Sequence, residues 1–263
     1  MTHTQRLLDI MRTLRDPEQG CPWDKKQTFE TIVPHTLEEA YEVADAIEKG
    51  DMAELEGELG DLLFQVVFYA QLGSEQELFD FESIAKAMSE KLVRRHPHVF
   101  SDMSLENDAA IKQNWEKLKQ QERQTKNQAN TSLLDDLPRS FPALSLAQKM
   151  QKRVGRHGFD WPDLDGVVEK LEEEVAELKE AIAKKDKDHI EEELGDVLFS
   201  CVNLSRHLDL DPEAALRKSC RKFENRFRQL EILIGNDGLT VDSASLEQLE
   251  QAWQKAKQLS SGT

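Results

Sequence analysis

The chain has 263 residues, of which 38% are hydrophobic, with a mean hydropathy of −0.63 and a formal net charge of −17. That acidic balance argues against a binder of polymeric nucleic acid, which neutralises phosphates with clustered Lys and Arg. The most apolar run, residues 62–70, is too short to cross a bilayer. Cys21, Cys201 and Cys220 form neither a disulfide framework nor a CxxC pattern, so a soluble cytoplasmic protein is expected.

Few runs alternate with a strand's period of two, and glycine and proline are scarce (12 and 8), which predicts an all-α fold. An amphipathic helix is expected over 6–15, ended by Asp16-Pro17, and a loop follows through Gly20 to Asp24. The next helix is expected over 36–49, with Thr36 as N-cap, Glu39 at capping-box spacing and Gly50 as C-cap. A third, over 52–72, ends at Gly73. Its apolar residues, Leu55, Leu59, Leu62, Leu63, Phe64, Val66 and Val67, cover nearly the whole circumference, so it is expected to be buried. A fourth helix covers 81–95, His96-Pro97 marks its terminus, and a polar helix is expected near 107–124.

Residues 125–142, rich in Gln, Asn, Ser, Asp and Pro, read as a linker between domains 1–124 and 143–263. The second domain then predicts helices near 143–154, 164–184, 187–208, 212–234 and 244–258, with a Gly-Phe-Asp-Trp-Pro loop at 158–162. Cys201, inside one of these helices, is expected to be core.

The two domains share one pattern. Glu38-Glu39-x-x-Glu42 followed by Glu58-x-x-Asp61 recurs, at an offset of 135, as Glu173-Glu174-x-x-Glu177 followed by Glu193-x-x-Asp196. Lys91-x-x-x-Arg95 is matched by Lys222-x-x-x-Arg226, and Trp115-x-Lys117-x-Lys119 by Trp253-x-Lys255-x-Lys257. An internal repeat of this kind marks a duplicated unit.

On a helix, residues three apart lie about 60° apart on one face, so Glu39 and Glu42 are neighbours, as are Glu58 and Asp61. An isolated EExxE is ordinarily a solvated face. The ExxD pairs differ, because each lies in a narrow polar stripe among apolar residues: Glu58, Asp61 and Gln65 in the first half, Glu193, Asp196, Ser200 and Asn203 in the second. Carboxylates so placed are costly unless paired. An oxygen-only donor set selects a hard cation, Mg²⁺ or alternatively Mn²⁺, which commonly takes phosphate oxygens as further ligands. Lys222 and Arg226, one turn apart, suit a triphosphate, while Trp253 suits either a base or simple packing.

EExxE and ExxD, with Cys21-Pro-Trp-Asp-Lys-Lys-Gln-Thr28 upstream in the first half and Gly158-Phe-Asp-Trp-Pro162 in the second, resemble the MazG nucleoside triphosphate pyrophosphohydrolases over almost the whole chain. The resemblance implies two tandem four-helix units, a homodimer, and Mg²⁺-dependent hydrolysis of NTP or dNTP between the α and β phosphates. It implies Glu174, Glu177, Glu193 and Asp196 as metal ligands, with Glu39, Glu42, Glu58 and Asp61 as a second candidate set. Glu173 would orient or deprotonate the water. Lys170, Lys222, Arg226 and Trp253 would contact the substrate, alongside Glu174, Glu193 and Asp196. The second half is favoured as the catalyst, since the first has His35 in place of Lys170 and its loop and tail differ.

Other readings remain open from the residues alone: a nucleotide-binding regulator without turnover, a purely structural helical dimer, a phosphoribosyl-ATP pyrophosphohydrolase, or a relative restricted to dUTP or dCTP.

Overall fold

A computed structural model describes residues 1–101, 107, 110–111, 114–115, 118, 122, 132–135 and 137–260. Among these there are ten α-helices and no strand, so the chain is all-α. The chain forms two compact units, Met1–Gln128 and Ala129–Thr263. The polar helix expected near 107–124 lies largely outside the described residues, as do 125–131 and 136 of the expected linker. Within the second unit, Arg153 Nη1 donates to the carbonyl of Leu133 (3.0 Å) and to that of Asp135.

The first unit contains α1 (His3–Leu14), a 3-10 turn (Asp24–Lys26), α2 (Phe29–Lys49), α3 (Met52–Glu75), α4 (Phe81–Arg95) and the short α5 (Pro97–Phe100). Its core is Met11, Ile32, Val67, Phe68 and Leu72, wrapped by Leu7, Leu8, Phe29, Phe64, Tyr69 and Phe81. Helices α2 and α3 pack against each other as a hairpin. Gly50 turns the corner as the C-cap of α2 in the left-handed region (φ 76°), and Asp51 caps α3 by accepting from the backbone of Ala53 and Glu54.

Two boundaries differ from expectation. Helix α2 begins seven residues earlier than 36, at Phe29, where Thr28 and Thr31 form a capping box. Pro34 therefore lies inside the helix. It removes one backbone donor, yet Ile32, buried in the core, anchors the turn around it. Thr36 is an interior residue whose hydroxyl donates to the Ile32 carbonyl (3.1 Å) and lies 3.0 Å from the Tyr69 hydroxyl. Helix α3 runs through Gly73 to Glu75. The glycine serves packing rather than termination, because a Cβ there would sit 2.5 Å from the Phe79 ring.

The second unit contains α6 (Ala143–Gly155), α7 (Leu164–Lys184), α8 (Lys187–His207), α9 (Pro212–Asn236) and α10 (Leu246–Leu259). The α7–α8 hairpin is the counterpart of α2–α3, and α9 packs on α10 around Leu230, Ile234 and Ala252.

Helix α3 is not buried on all sides. Gln65, Val67, Phe68, Ala70, Leu72 and Gly73 face inward, but Leu59, Leu63 and Val66 remain exposed. In the second unit Leu194, Leu198 and Phe199 are likewise exposed. Cys201, expected in the core, is exposed too.

Where the first hairpin turns on Gly50, the second turns on Lys185, held at φ 59°. A side chain in that region is strained, whereas glycine is not. Lys185→Gly is expected to stabilise the protein by about 0.5–1 kcal/mol in denaturant unfolding, and Gly50→Ala to destabilise it by a similar amount.

Candidate metal and phosphate site

Each helical hairpin brings carboxylates together across its two helices. In the first unit, Glu39 of α2 meets Glu58 and Asp61 of α3. In the second, Glu174 and Glu177 of α7 meet Glu193 of α8. In both groups one oxygen from each residue lies within 4.8 Å of the others. The capped turns fix this register: Asp51 and Asp186 each start the return helix directly after the left-handed residue, so the ExxE and ExxD faces stand opposite each other.

The fourth residue of each set behaves differently. Glu42 is exposed but still close enough to act on Glu39 and Glu58, and Asp196 is exposed and is not one of the three carboxylates mutually within 4.8 Å. Glu174 and Glu193 are buried, and Glu177 is exposed.

Crowding shows in the proton affinities. Burial, then repulsion from Glu42 and Asp61, holds the Glu39 carboxyl above its ordinary range. Glu58 is raised by burial, Glu42, Asp61 and Glu54. Glu177 is raised by burial and by Glu193, Glu174 and Glu173, against a small opposing pull from Lys170. Oxygen-only donors that resist ionisation together suit a hard divalent cation, whose charge removes that resistance.

The basic residues are distributed unequally. Lys170 Nζ lies 2.7 Å from Glu173 Oε1 and 2.9 Å from Glu174 Oε1, and these partners raise the pKa of its ammonium group. Glu173 itself is exposed. His35, in the Lys170 register, faces Glu38 instead, at 3.6 Å. Lys222 is exposed on α9. Arg226, one turn on, is half-buried, and its Nε is enclosed without a hydrogen-bond partner. Among the described residues, neither forms an ion pair with the clustered carboxylates. In the first unit the corresponding Arg95 is already spent: it and Arg94 bind Glu122, whose carboxyl is pushed down to about 2. Trp253 is half-buried, packed on the α9–α10 core with its ring 5.3 Å from Phe223.

The Trp/Asp loops are fastened by arginine clips. Arg15 pairs with Glu75 (2.6 and 2.8 Å) and donates to the Asp24 carbonyl at 2.5 Å. In the second unit, Arg206 and His207 grip Asp160 and lower its pKa to about 2. Trp161 lies flat on Gly166 in the first turn of α7, where a Cβ would approach within 2.8 Å of the ring.

Comparison with known proteins bears on this arrangement. Residues 27–100 and 164–230 match the MazG nucleotide pyrophosphohydrolase domain, so both hairpins fall within matched segments. The chain is 53% identical to the nucleoside triphosphate pyrophosphohydrolase of Escherichia coli K12 over 98% of both proteins. It is 47% identical to the Thermotoga maritima nucleoside triphosphate pyrophosphohydrolase/pyrophosphatase MazG, over 96% of this chain and 95% of the relative. The chain belongs to the MazG family. A further relative, YabN of Bacillus subtilis, is 40% identical over 95% of this chain and 50% of its own length.

Sequence reasoning passed over one residue of the second MazG unit. His189 Nε2 lies 2.8 Å from Glu193 Oε1. The signal was available, since His189 precedes Glu193 by one helical turn on the same face.

The raised carboxyls also fix the sign of a pH effect. A carboxyl whose folded pKa lies above its unfolded value favours folding while protonated, and it costs stability once pH exceeds the folded pKa. In EDTA, Glu58→Gln is therefore expected to raise Tm at neutral pH, with the gain shrinking as pH falls into the carboxylate range. Millimolar Mg²⁺ should raise the wild-type Tm and raise that of the variant less. Thermal unfolding across pH, with and without the cation, checks both.

Proposed function

We propose that this chain is a nucleoside triphosphate pyrophosphohydrolase that cleaves NTP and dNTP between the α and β phosphates, yielding NMP and pyrophosphate, with its second unit as catalyst. One observation carries the reading: Glu174, Glu177 and Glu193 converge across the α7–α8 hairpin in a chain aligned end to end with relatives named for this activity. Mg²⁺, or Mn²⁺ in its place, is the expected cation, and Glu174, Glu177 and Glu193, with Asp196 one turn beyond Glu193, would hold it. When bound, it supplies charge neutralisation and a more acidic water.

The chain's own residues do the rest. Glu173 accepts the proton of the attacking water, whose oxygen bonds to phosphorus as the bridging P–O bond breaks and pyrophosphate leaves. Lys170, anchored by Glu173 and Glu174, stands one turn before them on α7 to meet phosphate oxygens. Lys222 and Arg226 balance the remaining phosphate charge, and the unpartnered Arg226 Nε suits that role. Trp253 offers a ring edge to the base without hydrogen-bond readout, which suits broad base specificity and a role in cleansing the nucleotide pool. The first unit is the weaker candidate because Glu122 already neutralises Arg95.

The exposed apolar strips Leu59, Leu63 and Val66 on α3 and Leu194 and Leu198 on α8 support a homodimer. No helix among the described residues is long and apolar enough to cross a membrane, and the sparse cysteines suit the cytoplasm.

The test is product analysis over a panel of NTPs and dNTPs with Mg²⁺ or EDTA. NMP and pyrophosphate are expected only with Mg²⁺, for wild type and Glu58→Gln, while Glu193→Gln should lose about 100-fold or more in kcat. Bound nucleotide without turnover would favour the regulatory reading. Leu63→Glu is expected to shift the protein towards monomer in sedimentation velocity.

A further inference from the structure

The two acidic clusters share a register but differ in what holds their ligands. In the second unit, each buried carboxylate has a basic neighbour on one oxygen: Lys170 Nζ lies 2.9 Å from Glu174 Oε1, and His189 Nε2 lies 2.8 Å from Glu193 Oε1. A contact on one oxygen restricts the rotation of the Glu193 side chain within the cluster.

The first unit lacks this device. At the same offset of 135, His189 is replaced by Glu54, which cannot donate. Glu54 is drawn to Lys49 at 3.2 Å and adds to the repulsion at Glu58. Among the described residues, Glu39 accepts a hydrogen bond from Gln65 Nε2 at 3.4 Å and has no basic neighbour.

We infer that His189 is a positioning residue for Glu193, setting one carboxylate oxygen towards a divalent cation in the second unit, and that Glu54 denies the first unit the same preorganisation. The inference rests on the cation reading of the site. Donors behind a metal ligand fix its orientation and commonly change metal affinity by about 10–100-fold. A histidine that merely stabilised the helix would alter Tm and leave cation affinity alone.

The experiment is an electron paramagnetic resonance titration of the full-length protein with Mn²⁺ alone. A Glu58→Gln background removes the first cluster, and adding Glu193→Gln assigns the remaining binding to the second. His189→Leu is expected to weaken that binding by about tenfold or more. His189→Gln, whose amide keeps a donor near the Nε2 position, should restore most of the affinity. His189→Glu, which recreates the first unit's pairing, should bind no better than His189→Leu. Unfolding in EDTA establishes that the variants fold, and with nucleotide the loss should appear in kcat at saturating substrate and low Mn²⁺. Binding that is indifferent to His189→Leu overturns this inference alone. No Mn²⁺ binding by wild type overturns the cation reading, and this inference falls with it.

Discussion

Carboxylates do not gather on facing helices unless the chain compensates for their repulsion, and that constraint organises both halves of this protein. Each hairpin sets acidic residues within 4.8 Å of one another, partly buried, and three of them resist ionisation as a result. Such an arrangement subtracts from stability at neutral pH unless a cation enters. The rest of the architecture holds the hairpins rigid against that cost. Asp caps and left-handed turns set the register, and a core around Phe68 and Met11 clamps α3 in the first half. Arginine clips at Arg15 and Arg206 fasten the adjoining loops.

Duplication has left the two halves chemically unequal. The second half keeps Lys170 and His189 on its buried carboxylates and leaves Arg226 Nε without a partner. The first half has His35 and Glu54 in those registers, and it closes Arg95 onto Glu122. The carboxylate set is thus repeated, while the basic residues beside it are not. That is the pattern expected when one copy works on phosphates and the other is retained for its fold or its surface.

Much of the site was legible in the residues. The spacing within Glu38–Glu42, Glu58–Asp61, Glu173–Glu177 and Glu193–Asp196 marked the candidates, because helical geometry converts spacing into a face. Some features were less legible. Thr36 has the residue type of a cap, but capping is decided by where the preceding turn is anchored, here by Ile32 beyond Pro34. Gly73 looks like a stop, yet it exists to admit the Phe79 ring. Cys201 lies among apolar residues, and exposure could not be deduced from that company.

The sequence by itself determined the helical periods, the repeat, the oxygen-only donor set and the family, because each depends on residue type and local spacing. Only the tertiary structure decided which carboxylates converge and which bases lie beside them. Those depend on the facing of two helices and on side-chain choices between competing partners. Glu193 finds His189 and Arg95 finds Glu122 through contacts that local spacing permits but does not require.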